Sequence, residues 1–263
     1  MDTITRNLPY GELPRQTGDL FLPGNGQEAR LPLLLIHGGG WDALSKESIE
    51  PVARVAVRLG HPVFSINYRL LKHAPWPACG DDCLAAGQFL LSGGLADHGL
   101  SAPARIIVAG ASAGGHLAMM TGLRLPADRI AGILSLAGPS RLYPRDDTGD
   151  SAIYGEHFLK KFFGRPTHID DNRVATASPI HCVGRIPPPL TCIHSVNDHL
   201  VPLSHSQDAV TAWSDAGGSA HLHTYDGPGR QHGFWTSDDL ATRSLIPAML
   251  DMLEQYFMHT PTI

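Results

Sequence analysis

The chain reads as an α/β protein with a mostly parallel central sheet and helices on both faces. Three observations predict this. Short runs at 31–37, 63–68, 105–109, 130–137, 190–195 and 220–225 have strand character. Stretches with helical spacing lie between most of them. The two kinds alternate along the chain, as a parallel sheet requires, because each crossover must return the chain to the same end of the sheet.

The run at 31–37 (LPLLLIH) is continuously apolar and ends in three glycines, the pattern of a strand buried on both faces that leads into a tight loop. Over 48–59, Val52, Val55, Ala56 and Leu59 share one helical face, and Gly60 ends the helix before the strand at 63–68. A second amphipathic helix spans 81–91. The strand at 105–109 runs straight into Gly110-Ala111-Ser112-Ala113-Gly114-Gly115 and a helix through Leu123. Strands at 130–137, 190–195 and 220–225 follow, the last two separated by a helix at 204–216, and a helix at 245–257 closes the fold.

The stretch 139–179 is too long for an ordinary connection and is rich in charge, glycine and aromatics. A small lid-like insertion and a packed surface excursion both account for it. Without repeats, low-complexity tracts or a break in composition, the expectation is a single domain over 1–263.

With 43% apolar and 17% charged residues the chain can bury a sizeable core. The 20 Lys and Arg residues are scattered against 25 Asp and Glu, which excludes the basic footprint of a nucleic-acid or anionic-membrane binder. No apolar run approaches the ~20 residues of a membrane span. The N-terminus shows no signal peptide, so a cytoplasmic location is expected, with a removed leader left open. Cys79, Cys83, Cys182 and Cys192 lack metal-site spacing and are expected to be reduced thiols. His221 and His223 share a strand face without a third ligand, so neither metal nor cofactor is implied.

The chemistry gathers at loops after strands. Gly110-x-Ser112-x-Gly114 lies between a strand and a helix, where a sharp turn lifts a serine hydroxyl above the sheet and only small neighbours fit. The helix N-terminus there also favours developing negative charge. A serine hydroxyl needs a base, and the base an orienting acid, in the chain order serine, acid, histidine. Asp198 follows the strand at 190–195, and His232 lies in a Gly- and Pro-rich loop after the strand at 220–225. Asp208 and Asp215 fall within a helix, and Asp226 precedes the histidine too closely. His194, His199 and His205 lie inside a strand or beside the acid, and compete less well as base.

His37-Gly38-Gly39-Gly40-Trp41 supplies the remaining part. Acyl transfer needs donors aimed at an oxyanion, and glycines let backbone amides approach it. Gly38, Gly39 and Ala113 are assigned as those donors, with His37 as a structural hydrogen-bonding residue. Trp41 either lines the acyl pocket or caps the core.

These residues resemble the hormone-sensitive-lipase-like branch of the α/β-hydrolase esterases. The likeness rests on HGGGW at 37–41, Asn67-Tyr68-Arg69-Leu70, GASAGG followed by His116-Leu117, the Asn-Asp-x-x-Val-Pro run ending at Pro202, and His232-Gly233-Phe234. It covers about 20–256. Ala177-Ser178-Pro179 and Pro187-Pro188-Pro189-Leu190 make it most similar to the compact esterases grouped with carbohydrate acetyl and feruloyl esterases. Larger members carry an N-terminal helical cap, and only about thirty residues precede the first strong strand here.

The resemblance implies a serine carboxylesterase that takes a small-molecule ester through an acyl-enzyme. An arylformamidase of the kynurenine formamidase type shares HGGxW and SAGGHL and would use the same triad, with Trp41 and Phe234 stacking on its substrate. A non-catalytic receptor on the same fold is disfavoured, because such members usually lose a triad residue. Acyl preference and a homodimeric assembly stay open.

Overall fold

The computed structural model describes residues 2–24, 30–144, 155–226, 231–236, 244, 246–248, 250 and 251. The six expected strands are β3 (Leu33–Ile36), β4 (Val63–Ile66), β5 (Ile106–Ala111), β6 (Ile130–Leu136), β7 (Leu190–Ser195) and β8 (Ala220–Tyr225). All six are parallel to their neighbours within this group. Two further strands precede them, β1 (Thr3–Pro9) and β2 (Thr17–Leu22), and extend the sheet by antiparallel pairing onto β4. The order across the sheet is β1-β2-β4-β3-β5-β6-β7-β8.

The sequence reading missed β1 and β2 for a physical reason. β1 is an edge strand whose residues are mostly polar and partly exposed. In β2 the buried Asp19 interrupts the apolar signal, its carboxylate accepting from Arg6 Nη1, the Asn7 amide and Lys46 Nζ. A charge satisfied by tertiary partners looks, in sequence, like a break in a strand.

Period-two alternation divides the core into two layers. Leu33 and Leu35 face one side with Ile107 and Ala109, against Val52, Val55, Ala56 and Val57 of α1 (Glu50–Arg58). Leu34 and Ile36 face the other with Phe64 and Val108. That layer is covered by α2 (Ala78–Leu91) and α3 (Ala113–Arg124) through Cys79, Cys83, Leu90, Leu117 and Met119. Each buried Val, Leu, Ile, Phe or Met among them contributes about 1.5–3 kcal/mol over its exposed state.

The described part of 139–179 holds α4 (Glu156–Phe163) and α5 (Asn172–Thr176), whose Leu159, Phe162, Phe163 and Val174 join the second layer. Residues 145–154 of that stretch lie outside the described residues. α6 (Pro179–Cys182) follows, and α7 (Ser204–Asp215) separates β7 from β8. Of the helix expected at 245–257, residues 246–248, 250 and 251 are described and helical. Among the described residues no helix is long and apolar enough to cross a membrane.

Candidate active site

The C-terminal ends of β3, β5, β7 and β8 open on one edge of the sheet, and every residue assigned to catalysis follows one of them. Ser112 sits between β5 and α3 at φ 53° and ψ −124°. A non-glycine residue there is strained, and its surroundings hold it in place. The Ser112 amide donates to Leu136 O across 2.8 Å, and Ser112 O accepts from the amides of Gly115 and His116. A Cβ on Gly110 would fall 2.1 Å from Gly114 O, and one on Gly114 would fall 2.2 Å from Ile36 O. The turn therefore admits no side chain at either position.

His232 and Asp198 meet Ser112 from the two loops beyond. With His232 in the Nδ1–H tautomer, the Ser112 hydroxyl donates to its Nε2 across 3.0 Å and its Nδ1 donates to Asp198 Oδ2 across 2.6 Å. The other carboxylate oxygen, Oδ1, accepts from the amides of Leu200 and Val201 at 2.9 Å each. Burial alone would raise the Asp198 pKa. Hydrogen bonds from His194 and His232 reverse that and hold the carboxyl well below the usual range.

Three links fasten the acid loop to the histidine loop. The Val196 amide donates to Tyr225 O at 3.0 Å, Asn197 Nδ2 to Asp226 Oδ1 at 3.2 Å, and Ser195 Oγ to Gln231 Oε1. The Trp235 ring meets the His232 ring edge-on at 5.1 Å.

The glycine turn packs against the serine. A Cβ on Gly38 would sit 3.1 Å from Ser112 Cβ and 2.8 Å from Ala111 O. Gly39 has φ +106° and would place a Cβ 2.3 Å from Ala43 O. Among the described residues, none accepts a hydrogen bond from the amides of Gly38, Gly39 or Ala113.

His37 is structural, as its place at a strand end suggests. It is buried, stacked on Tyr68 at 4.3 Å, and shares a hydrogen bond with Gly38 O at 2.7 Å. Burial pushes its pKa down to about 3. The Tyr68 hydroxyl donates to His37 O at 3.0 Å, so the Asn-Tyr-Arg run braces the glycine turn.

The structure buries both aromatics assigned to substrate. Phe234 is fully buried between Tyr225 and Trp235, because Gly233 at φ +94° turns the chain inward there. Trp41 is 4% exposed, and its ring is occupied by His116, Phe158 and Phe162. Trp41 caps the core. Two residues with structural reach were not singled out: His116, which accepts from Trp41, and His194, taken only as a rival base. The four cysteines are free thiols, and burial pushes Cys79 and Cys192 up to about 12.

Residues 19–212 match the model of the BD-FAE family. The chain is 28% identical to esterase LipQ of Mycobacterium tuberculosis over 274 residues, covering 95% of this chain and 62% of LipQ. It thus spans about six-tenths of that relative's length. Mouse hormone-sensitive lipase is 34% identical over 133 residues, which cover 46% of this chain and 17% of the lipase. A truncated carbohydrate esterase from gut microbiota superposes with TM-score 0.78 at 22% identity, covering 97% of this chain and 96% of that one. That likeness establishes a shared α/β-hydrolase fold.

Proposed function

This chain belongs to the BD-FAE family, and from that premise we propose that it is a serine carboxylesterase acting on short acyl or acetyl esters. One observation carries the reading: an unbroken hydrogen-bond chain from Ser112 through His232 to Asp198, beside three amides with no protein acceptor among the described residues.

His232 Nε2 takes the Ser112 proton as Ser112 Oγ attacks the ester carbonyl, and Asp198 stabilises the imidazolium. The oxyanion that forms is bound by the amides of Gly38, Gly39 and Ala113, where one donor is typically worth ~3–4 kcal/mol. Collapse expels the alcohol, which takes the proton from His232, and leaves Ser112 acylated. Water then attacks the acyl-enzyme, gives a proton to His232, and frees the acid as Ser112 is reprotonated.

The relatives support an ester in place of a formamide, since LipQ and the gut carbohydrate protein are named esterases. The rings expected to stack on a formamidase substrate, Trp41 and Phe234, are both buried in the core. Purified protein should hydrolyse p-nitrophenyl acetate, and Ser112→Ala should lower kcat by roughly 10⁵–10⁶-fold. Full turnover by that variant would overturn the mechanism. A kcat/KM for N-formylkynurenine far above that for acetyl esters would move the assignment to a formamidase.

A further inference from the structure

The triad acid and a buried histidine meet on the backbone of one residue, Val201. Asp198 Oδ1 accepts from the Val201 amide at 2.9 Å, and the carbonyl of the same residue, Val201 O, accepts from His194 Nε2 at 2.8 Å. The opposite ring nitrogen, Nδ1, accepts from the Ser206 hydroxyl on α7 at 2.7 Å. His194 is completely buried at the end of β7, and its Nε2 also lies 3.5 Å from Asp198 Oδ2, the oxygen bonded to His232. The proton transfers above use none of these groups.

We propose that His194 is a positioning residue for the triad acid, clamping the turn at 198–201 so that Asp198 Oδ2 stays aimed at His232 Nδ1. This rests on the catalytic reading given above. A carboxylate turns freely about its last bond unless its second oxygen is held. Here two turn amides hold it, and His194 keeps the turn closed from behind. The position needs a donor toward Val201 and an acceptor toward Ser206 at opposite ends of one rigid ring. A neutral imidazole provides both. Val201 O selects the tautomer, because a carbonyl only accepts and so keeps the ring proton on Nε2, which leaves Nδ1 to accept from the Ser206 hydroxyl.

Two variants separate a clamp from simple core filling. His194→Phe keeps the ring volume and loses both bonds. His194→Gln keeps a donor that reaches Val201 O. The readouts are kcat and KM on p-nitrophenyl acetate, and the far-downfield proton resonance of the His232–Asp198 hydrogen bond, assigned by its loss in Asp198→Asn. The phenylalanine variant should lower kcat by about 30–100-fold with KM within about threefold, as sub-ångström misplacement of a catalytic group does. Its downfield proton should move upfield and exchange faster with water, while the glutamine variant keeps most of both signals. If the phenylalanine variant does not fold, Ser206→Ala, which removes the bond at Nδ1 alone, should shift the resonance in the same direction by less. An unshifted resonance and unchanged kcat in the folded phenylalanine variant, or an unshifted resonance in Ser206→Ala, would overturn the clamp. The resonance does not depend on turnover, so a chain that failed to hydrolyse esters would refute the catalytic reading and leave this test standing.

Discussion

Trp41 Nε1 donates to His116 Nδ1 across 3.2 Å, and His116 Nε2 donates onward to Ala177 O across 2.8 Å. One buried ring thereby joins the glycine turn after β3, the helix that begins beside Ser112, and the segment leading into α6. Trp41 itself sits at φ 59°, a conformation that costs a non-glycine residue about 1–2 kcal/mol. The bond to His116 and the packing of Phe158 and Phe162 hold it there.

Trp41→Phe should therefore cost more than its loss of volume. It removes the N–H and leaves His116 Nδ1 buried without a donor, at about 1–3 kcal/mol. The melting temperature should fall by roughly 3–10 °C. Because Gly39 and Gly40 precede Trp41 directly, kcat should fall more than KM rises. Calorimetry and steady-state kinetics on the same preparation check both, and an unchanged melting temperature would refute the link.

Asp198→Asn should drop kcat by about 10⁴-fold with the fold intact. An asparagine amide can donate to His232 Nδ1, which draws the ring into the tautomer whose Nε2 carries the proton. That nitrogen can no longer accept from Ser112 Oγ, 3.0 Å away. Burst kinetics with p-nitrophenyl acetate should show slow acylation, whereas a loss confined to KM would contradict the assigned role.

Two buried histidines should make the fold acid-sensitive. Burial pushes His37 down to about 3 and His116 down to about 4. The unfolded chain takes up these protons near pH 6.5, before the folded chain does, so stability falls as the pH drops through that window. Each group removes roughly 1.4 kcal/mol per pH unit between about 6.5 and its folded value. Urea midpoints from pH 7 to 4.5 should decline, and His116→Gln should flatten the slope by one proton's share. An equal slope in the variant would refute that assignment. Asp198 acts at lower pH: its carboxyl is held below the usual range, so its contribution is complete above about pH 5 and is lost on further acidification.

Gly114→Ala and Gly40→Ala should differ sharply although both lie in glycine-rich turns. The first puts a methyl 2.2 Å from Ile36 O and 2.5 Å from His37 O, both backbone atoms that cannot yield without separating β3 from the serine turn. No soluble folded protein is expected from it. The second meets nothing within 4 Å and carries only the strain of φ +57°, about 1–2 kcal/mol. Expression yield and thermal melts separate the two outcomes.

The meeting of Ser112, His232 and Asp198 was legible because its signals are local. Small residues must surround Ser112, and Asp198 and His232 each follow the end of a strand. Ring orientation was not legible. Trp41 and Phe234 adjoin the site in sequence, yet positive φ at Trp41 and Gly233 turns both rings inward, and no local pattern encodes that. His194 looked like a rival base because its partners, Val201 O and Ser206 Oγ, come together only in the fold. β1 was hidden by polar edge alternation, and β2 by a buried charge whose partners lie elsewhere in the chain.

The Asn-Tyr-Arg run offers a test of how such buried charge is satisfied. Asp82 is fully buried on α2 and accepts from Arg69 Nε and Nη2, from the Arg69 amide at 2.8 Å and from Gln16 Nε2 at 2.7 Å. Arg69 is partly exposed. The two partners should therefore fail unequally. Arg69→Met strands an ionised carboxylate in the core, at about 3–5 kcal/mol. Asp82→Asn leaves a guanidinium that can turn to water, and the amide oxygen still accepts from the Arg69 backbone, so about 1–2 kcal/mol is expected. Replacing both by Met and Leu should recover part of the arginine variant's loss, since no buried charge remains. Urea unfolding of the three variants reads this directly. Equal losses for the two single variants would mean that the pair acts through packing and not through the buried charge.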